Sequence, residues 1–263
     1  MTSITSDATQ ASSTTSPVLS IRGLAKRFGG LAAVDGVDLD VMPGERRAVI
    51  GPNGAGKTTL FNLITGYFKP DAGTVELSGT DVTGWPTHRI AREGLGRAFQ
   101  ITSIFPALSV FENVQLGRFA RKGETAQVYG RAKGRHHAEV MEILDSVGLG
   151  DLPAAHAGQL SHGDQRALEL AISLALEPKL LLLDEPTAGM APAETERTMT
   201  LVRRIALERN LTLLFCEHDM DVVFGTADRV LVMHQGRPLA DGTPEEIRAH
   251  PEVRRVYLGD DDA

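Results

Sequence analysis

The run Gly51-Pro52-Asn53-Gly54-Ala55-Gly56-Lys57-Thr58-Thr59 constrains this chain more than any other feature. It fits G-x-x-x-x-G-K-[ST], a loop that cradles phosphate when a strand precedes it and a helix follows. Both flanks are present: residues 47–50 form a β-rich run that enters the turn at Gly51, and Lys57 to about Thr65 carries helical spacing. The glycines let the backbone curl so that several N–H groups point inward, and the positive end of the following helix adds to the attraction for an anion. Lys57 is then placed to reach the β- and γ-phosphates of a nucleotide, and the Thr58 hydroxyl to ligate Mg2+. A Gly-rich turn can match so short a pattern by chance, but two correct flanks make chance a poor explanation.

The rest of the chain alternates as an α/β protein should. Residues 18–21, 37–41 and 75–77 read as further short strands. From 101 to about 178 the texture changes. Residues 110–116 and 138–147 have helical spacing, with a polar stretch at 121–135 between them that reads as a solvated loop, so this region is a helical insertion in the α/β core. Afterwards come a helix through Ala175, a buried strand at 180–183, a helix from about Pro192 to Glu208, and strands at 211–215 and 229–233. Residues 236–240 are expected to pair with the last of these. Residues 1–17 are rich in Ser and Thr, with no basic residue and no apolar core, and read as a disordered tail rather than a leader. Residues 260–263 make a short acidic tail, which leaves one domain over 18–259.

A second element carries chemistry. Leu180-Leu181-Leu182-Leu183-Asp184-Glu185 is a buried strand with two carboxylates at its carboxyl end, where open parallel sheets place their ligands. Alone, such a pair is most often a solvated turn. Beside a phosphate loop, Asp184 is a holder for Mg2+ and Glu185 a general base for an attacking water. Composition removes other classes. The net charge of −7 argues against a broad nucleic-acid footprint. No run approaches the roughly 18 apolar residues of a spanning helix, so a membrane role would have to come through a partner. The single cysteine, Cys216, closes an apolar run and reads as a buried, inert thiol.

With these residues in place, the sequence resembles the ATP-binding-cassette (ABC) ATPases. Leu160-Ser161-His162-Gly163-Asp164 is similar to their signature LSGGQ and stands at the family's spacing before the leucine strand. Gln100 matches the Q-loop glutamine, His218 the switch histidine, and Phe28 the aromatic that stacks on adenine. The likeness runs from Val18 to Leu258. Taken singly, Ser161 is a helix cap, Gln100 polar surface, His218 a capping or salt-bridging residue and Phe28 a core residue. Together they imply a P-loop NTPase with a RecA-like mixed sheet, an antiparallel β subdomain and a helical subdomain. They also imply a head-to-tail dimer around two ATP molecules, each with Mg2+ held by Thr58, Gln100 and Asp184. One chain supplies the loop, Glu185 and His218; the other presents Ser161, His162, Gly163 and Asp164.

Three positions depart from the pattern. His162 stands where the family usually has Gly, and Asp164 where it has Gln; both are expected to face outward or toward the partner. Ala191 follows Gly189-Met190 where an aspartate is usual. Longer strings, residues 28–34, 187–194, 217–224 and 256–259, resemble the ATPases of branched-chain amino acid importers. That resemblance implies a second ATPase, two membrane permeases and an external solute-binding protein, with this chain at the cytoplasmic face of the inner membrane. Phe99, Ile104, Phe105 and Leu108 are expected either to receive a permease helix or to pack the insertion's own core. Importers of urea or short amides, lipopolysaccharide-extracting transporters, non-transport ABC ATPases and small-molecule kinases are the alternatives.

Overall fold

The apolar runs become the strands of two sheets in the computed structural model, which describes residues 16–99, 104–124 and 134–258. The chain begins with β1 (Leu19–Phe28), β2 (Leu31–Val41) and β3 (Arg46–Ile50), then α1 (Lys57–Ile64) and β4 (Ala72–Leu77). Next come β5 (Thr80–Asp81), α2 (Thr87–Glu93), β6 (Leu95–Ala98), α3 (Val110–Lys122) and α4 (His137–Ser146). The last part holds α5 (His162–Ala175), β7 (Leu180–Asp184), α6 (Pro192–Glu208), β8 (Thr212–Cys216), α7 (Met220–Thr226), β9 (Arg229–His234), β10 (Arg237–Gly242), α8 (Pro244–Ala249) and α9 (Pro251–Val253).

One sheet is antiparallel, in the order β2-β1-β4-β5; the other is mixed, in the order β10-β9-β3-β8-β7-β6. In the mixed sheet β9, β3, β8, β7 and β6 run parallel, and β10 folds back against β9. The strand β7 explains why its sequence shows no alternation. Leu181 and Leu183 face a core shared with α3, α4, α5 and α6, whereas Leu180 and Leu182 face a core shared with α1 and the antiparallel sheet. All four are fully buried. A strand covered on both faces reads as a continuous apolar run.

Three strands, β1, β2 and β6, are longer or newer than the sequence suggests. β1 and β2 extend well beyond 18–21 and 37–41, because register shifts between Ile21 and Arg27 break the two-residue period that would reveal them. They meet at a turn through Gly29, whose φ of +59° suits glycine, so Phe28 and Leu31 stand opposite each other. β6 escapes notice because Gly96 and Arg97 interrupt its apolar character. Gly96 packs closely there: a Cβ would sit 3.1 Å from Pro178 Cβ and 3.2 Å from Leu181 Cδ1.

A buried arginine ties α3 to α4 and to the turn after α5. Arg118 of α3 donates to Glu177 Oε1 at 2.6 Å and pairs with Glu139 of α4. That pairing, with help from Lys122, holds the Glu139 carboxyl down to about 2. Ser109 opens α3 with a capping box to Glu112.

The two-faced burial of β7 yields a test. Leu181→Ala and Leu182→Ala should each destabilise by about 2–5 kcal/mol, because each empties a different core. Urea unfolding of both variants measures this; a near-neutral result for either one would mean that its face is not packed.

Candidate functional site

The phosphate loop leaves β3 at Ile50 and is shaped by what lies beneath it. A Cβ at Gly51 would fall 2.1 Å from the Met233 carbonyl oxygen, and one at Gly56 would fall 2.2 Å from that of Ala33. Both glycines also hold positive φ, +147° and +100°. The loop is fastened by hydrogen bonds to the β9–β10 turn: Gly236 N–H donates to Ala55 O at 3.0 Å, and Asp35 N–H of β2 to Gly236 O at 2.8 Å. Lys57 is 6% exposed, and its Nζ donates to the carbonyls of Gly51 (2.6 Å) and Pro52 (3.1 Å). No side chain caps the start of α1 and no acidic residue sits in its first turn, so the helix's positive end is offered to a ligand.

A cavity of about 630 Å³ lies over this loop. Residues 53–59 form its floor, with Phe28, Leu31, Glu185, His218 and Gln235 among its walls. Phe28 is 45% exposed, its ring edge-on to Phe68 at 5.3 Å, so it is a wall residue rather than core. Leu31 and Gln235 escape a reading of the sequence. The hairpin turn Phe28-Gly29-Gly30-Leu31 is the signal for the first. Nothing local marks Gln235, which reaches the cavity from the β9–β10 turn with φ of +49°.

An adjoining cleft is lined by Thr58, Phe99, Arg166, Asp184, Glu185 and Ala188. Asp184 is 7% exposed, and its Oδ2 accepts from Arg97 of β6 at 2.8 Å. The same guanidinium donates to Asn62 Oδ1 and Thr65 Oγ1, so it ties β6 to both α1 and β7. Arg166 of α5 donates to Glu169 at 2.8 Å and to the Phe99 carbonyl at 3.5 Å, steadying the chain just before Gln100. Gln100 itself lies outside the described residues.

Glu185 is held at the end of β7 with φ of +50°, a left-handed conformation that a non-glycine residue keeps only when its surroundings fix it. Its N–H donates to Cys216 O at 3.0 Å, and its Oε1 lies 3.0 Å from His218 Nε2. The adjacent Cys216 is buried, which pushes its thiol up to about 12 and keeps it protonated and inert, as its apolar setting suggests.

The segment 161–164 touches neither cavity of its own chain. Ser161 is the N-cap of α5 and is exposed, as is His162. A Cβ at Gly163 would meet nothing within 4 Å, so its backbone is open to approach. Asp164 turns back onto Ser161 at the exposed start of α5. Its N–H donates to Ser161 Oγ at 3.2 Å and its Oδ2 accepts from that hydroxyl at 2.7 Å, because a carboxylate three residues after a serine cap closes back on it. Ala191 starts α6 without a capping side chain; Glu194 reaches back to its N–H at 3.4 Å.

Residues 34–188 match the family model for the ABC transporter. The chain belongs to the ABC transporter family. Residues 237–263 match a second model, the branched-chain amino acid ATP-binding cassette transporter. The chain is 42% identical, over 93% of its length and 98% of theirs, to two high-affinity branched-chain amino acid transport ATP-binding proteins, BraF of Pseudomonas aeruginosa and LivG of Escherichia coli. Among solved structures, the ADP conformation of MJ1267, an ATP-binding cassette of an ABC transporter, superposes with a TM-score of 0.82 at 30% identity, covering 93% of this chain and 99% of that one. A cbiO1 structure from Clostridium perfringens, part of an ABC transporter complex, gives 0.78 at 29% identity, covering 91% and 94%. Membership in the ABC family removes the small-molecule kinase reading.

The cassette's loop has little room for change. Gly56→Ala drives a methyl group into the Ala33 carbonyl, and should weaken ATP binding at least tenfold while lowering stability by about 1–3 kcal/mol. Calorimetric titration and thermal melting measure the two effects; unchanged affinity would show that the loop adapts without cost.

Proposed function

We propose that this ABC ATPase energises the import of branched-chain amino acids, with two cassettes closing head to tail on two permease subunits at the cytoplasmic face of the membrane. Family membership makes ATP the nucleotide and its hydrolysis the reaction. The observation that carries the choice of solute is the 42% identity, across nearly the whole of both chains, to BraF and LivG, joined by the separate match of residues 237–263. A second cassette, the permeases and an extracytoplasmic solute-binding protein complete the proposed system. Among the described residues no helix is long and apolar enough to cross a membrane, so attachment would run through the permeases.

In the proposed mechanism the N–H groups of residues 53–59 and the start of α1 neutralise the phosphates, and the Lys57 ammonium swings from the Gly51 and Pro52 carbonyls to the β- and γ-phosphate oxygens. Phe28 and Leu31 offer apolar surface to the base. The Thr58 hydroxyl and the Asp184 carboxylate are hard oxygen donors on one cleft, a set that suits Mg2+. When bound there, the ion spreads the charge that develops on the phosphate oxygens. Glu185 Oε accepts the proton of the attacking water, and His218, 3.0 Å from it, orients the carboxylate. Ser161 and Gly163, away from their own chain's cavities, would complete the site of the facing subunit. Loss of the γ-phosphate then lets the pair open.

Two substitutions separate binding from chemistry. Lys57→Ala should weaken ATP binding by about 100-fold or more, since a buried charge-assisted contact disappears. Glu185→Gln should keep affinity within about threefold and slow hydrolysis by about 100-fold or more. A Gln variant that turns over at the normal rate would remove Glu185 from the role of base.

The permease contact is proposed for Phe105. Of the four apolar residues considered, Phe99 is 7% exposed and Ile104 packs against the insertion's core, so these two serve the core instead. Phe105 is 56% exposed. Its backbone is clamped by the buried Asn113, which accepts from its N–H at 2.7 Å and donates to its carbonyl at 3.1 Å. Phe105→Asp should abolish solute uptake in reconstituted vesicles while the chain's own ATP affinity stays within about twofold, as for a surface change. Loss of nucleotide binding in this variant would place Phe105 in the core.

A further inference from the structure

Glu217 is a buried carboxylate that the hydrolytic scheme above does not use. It stands between β8 and His218, 3% exposed. Its Oε1 accepts from both the backbone N–H (2.8 Å) and the hydroxyl (2.6 Å) of Thr187, and its Oε2 accepts from the His218 N–H at 3.1 Å. Among the described residues it forms no ion pair; three N–H and O–H donors meet its charge. A carboxylate buried without a cation is costly unless such donors are fixed around it. The arrangement therefore earns its place by what it holds.

What it holds is the spacing of two loops. One leaves β7 through Glu185 and Thr187, the other leaves β8 through Glu217 and His218. Glu185 N–H to Cys216 O joins them on one side of the left-handed Glu185, and the Glu217–Thr187 pair joins them on the other. The 3.0 Å contact of His218 with Glu185 spans the same two loops. We infer that Glu217 is a positioning residue for hydrolysis, setting the His218–Glu185 geometry and linking it through Thr187 to the segment 187–191 that starts α6. This inference rests on the proposed roles of Glu185 and His218.

Glutamine at 217 is the discriminating change, because its size is right and its hydrogen-bonding is wrong. An amide presents one oxygen and one NH2, so either the His218 N–H or the Thr187 donors meet another donor. In the full-length chain with ATP, Glu217→Gln should lower kcat at least tenfold while KM for ATP stays within about threefold, since a displaced catalytic contact acts in the transition state. Thr187→Ser, which keeps both donors, should retain kcat within about twofold, whereas Thr187→Val should lower it at least fivefold. The double variant Glu217→Gln/Thr187→Val should be no worse than the poorer single one. Wild-type kcat in Glu217→Gln, or KM rising in step with a fall in kcat and melting temperature, overturns the inference. If Glu217→Gln does not fold, equal kcat in Thr187→Val and Thr187→Ser overturns it as well. A wild-type chain without ATPase activity would instead count against the proposed function itself.

Discussion

The site depends on the register of parallel strands. Val49 of β3 lies beside Cys216 of β8, which lies beside Asp184 of β7, and Ile50 lies beside Val232 of β9. Three strands with these partners finish at one level, so the loops that follow them open on the same edge of the sheet. The phosphate loop, the Asp184–Glu185 pair and His218 are far apart in the chain, and the backbone ladder brings them together. This is the crevice at the carboxyl ends of strands where open α/β sheets take their ligands. Slipping β7 by a single residue would exchange its leucines between the two cores and carry Lys179 or Asp184 into a leucine's place, so burial of the leucines and placement of the acids at its end are enforced by one constraint.

Much of this was legible in the residues. The loop at 51–59 carries its own chemistry and its own flanks, and the four leucines before Asp184 report a strand buried on both faces. Phe28 was readable from the family likeness, although the hairpin that presents it was not, because irregular pairing hides the strand alternation. β6 was hidden for a different reason. Its glycine answers a close approach by Pro178 and its arginine answers Asp184, so both residues make sense only after the sheet has formed. Glu217 and Gln235 are of the same kind: the fold alone brings Thr187 to the first and the cavity to the second. Asp164 follows a local rule: in S-x-x-D the carboxylate turns back onto the capping Ser161.

That turn has a consequence in the proposed dimer. In the single chain the Ser161 hydroxyl donates to Asp164 at 2.7 Å, so presenting it to a phosphate requires an exchange of partners at the start of α5. The helix end and the open backbone at Gly163 are available without any exchange. Attraction by the facing subunit would then come first from the backbone and helix end, and second from the hydroxyl.

The central claim is that ATP on the 51–59 loop is enclosed by the 161–164 segment of another subunit. The distance between the two is directly measurable. Leu31, 69% exposed at the rim of the cavity, and His162, exposed on α5, can be replaced by cysteine in separate batches of chain and spin-labelled, since the native Cys216 thiol is buried and unreactive. Mixing the two batches gives an intermolecular distance by pulsed electron resonance. The account predicts that a short, narrow distance appears with ATP under non-hydrolysing conditions and is lost with ADP. Saturating ATP that produces no such distance, in a chain that still binds and hydrolyses it, would contradict the account.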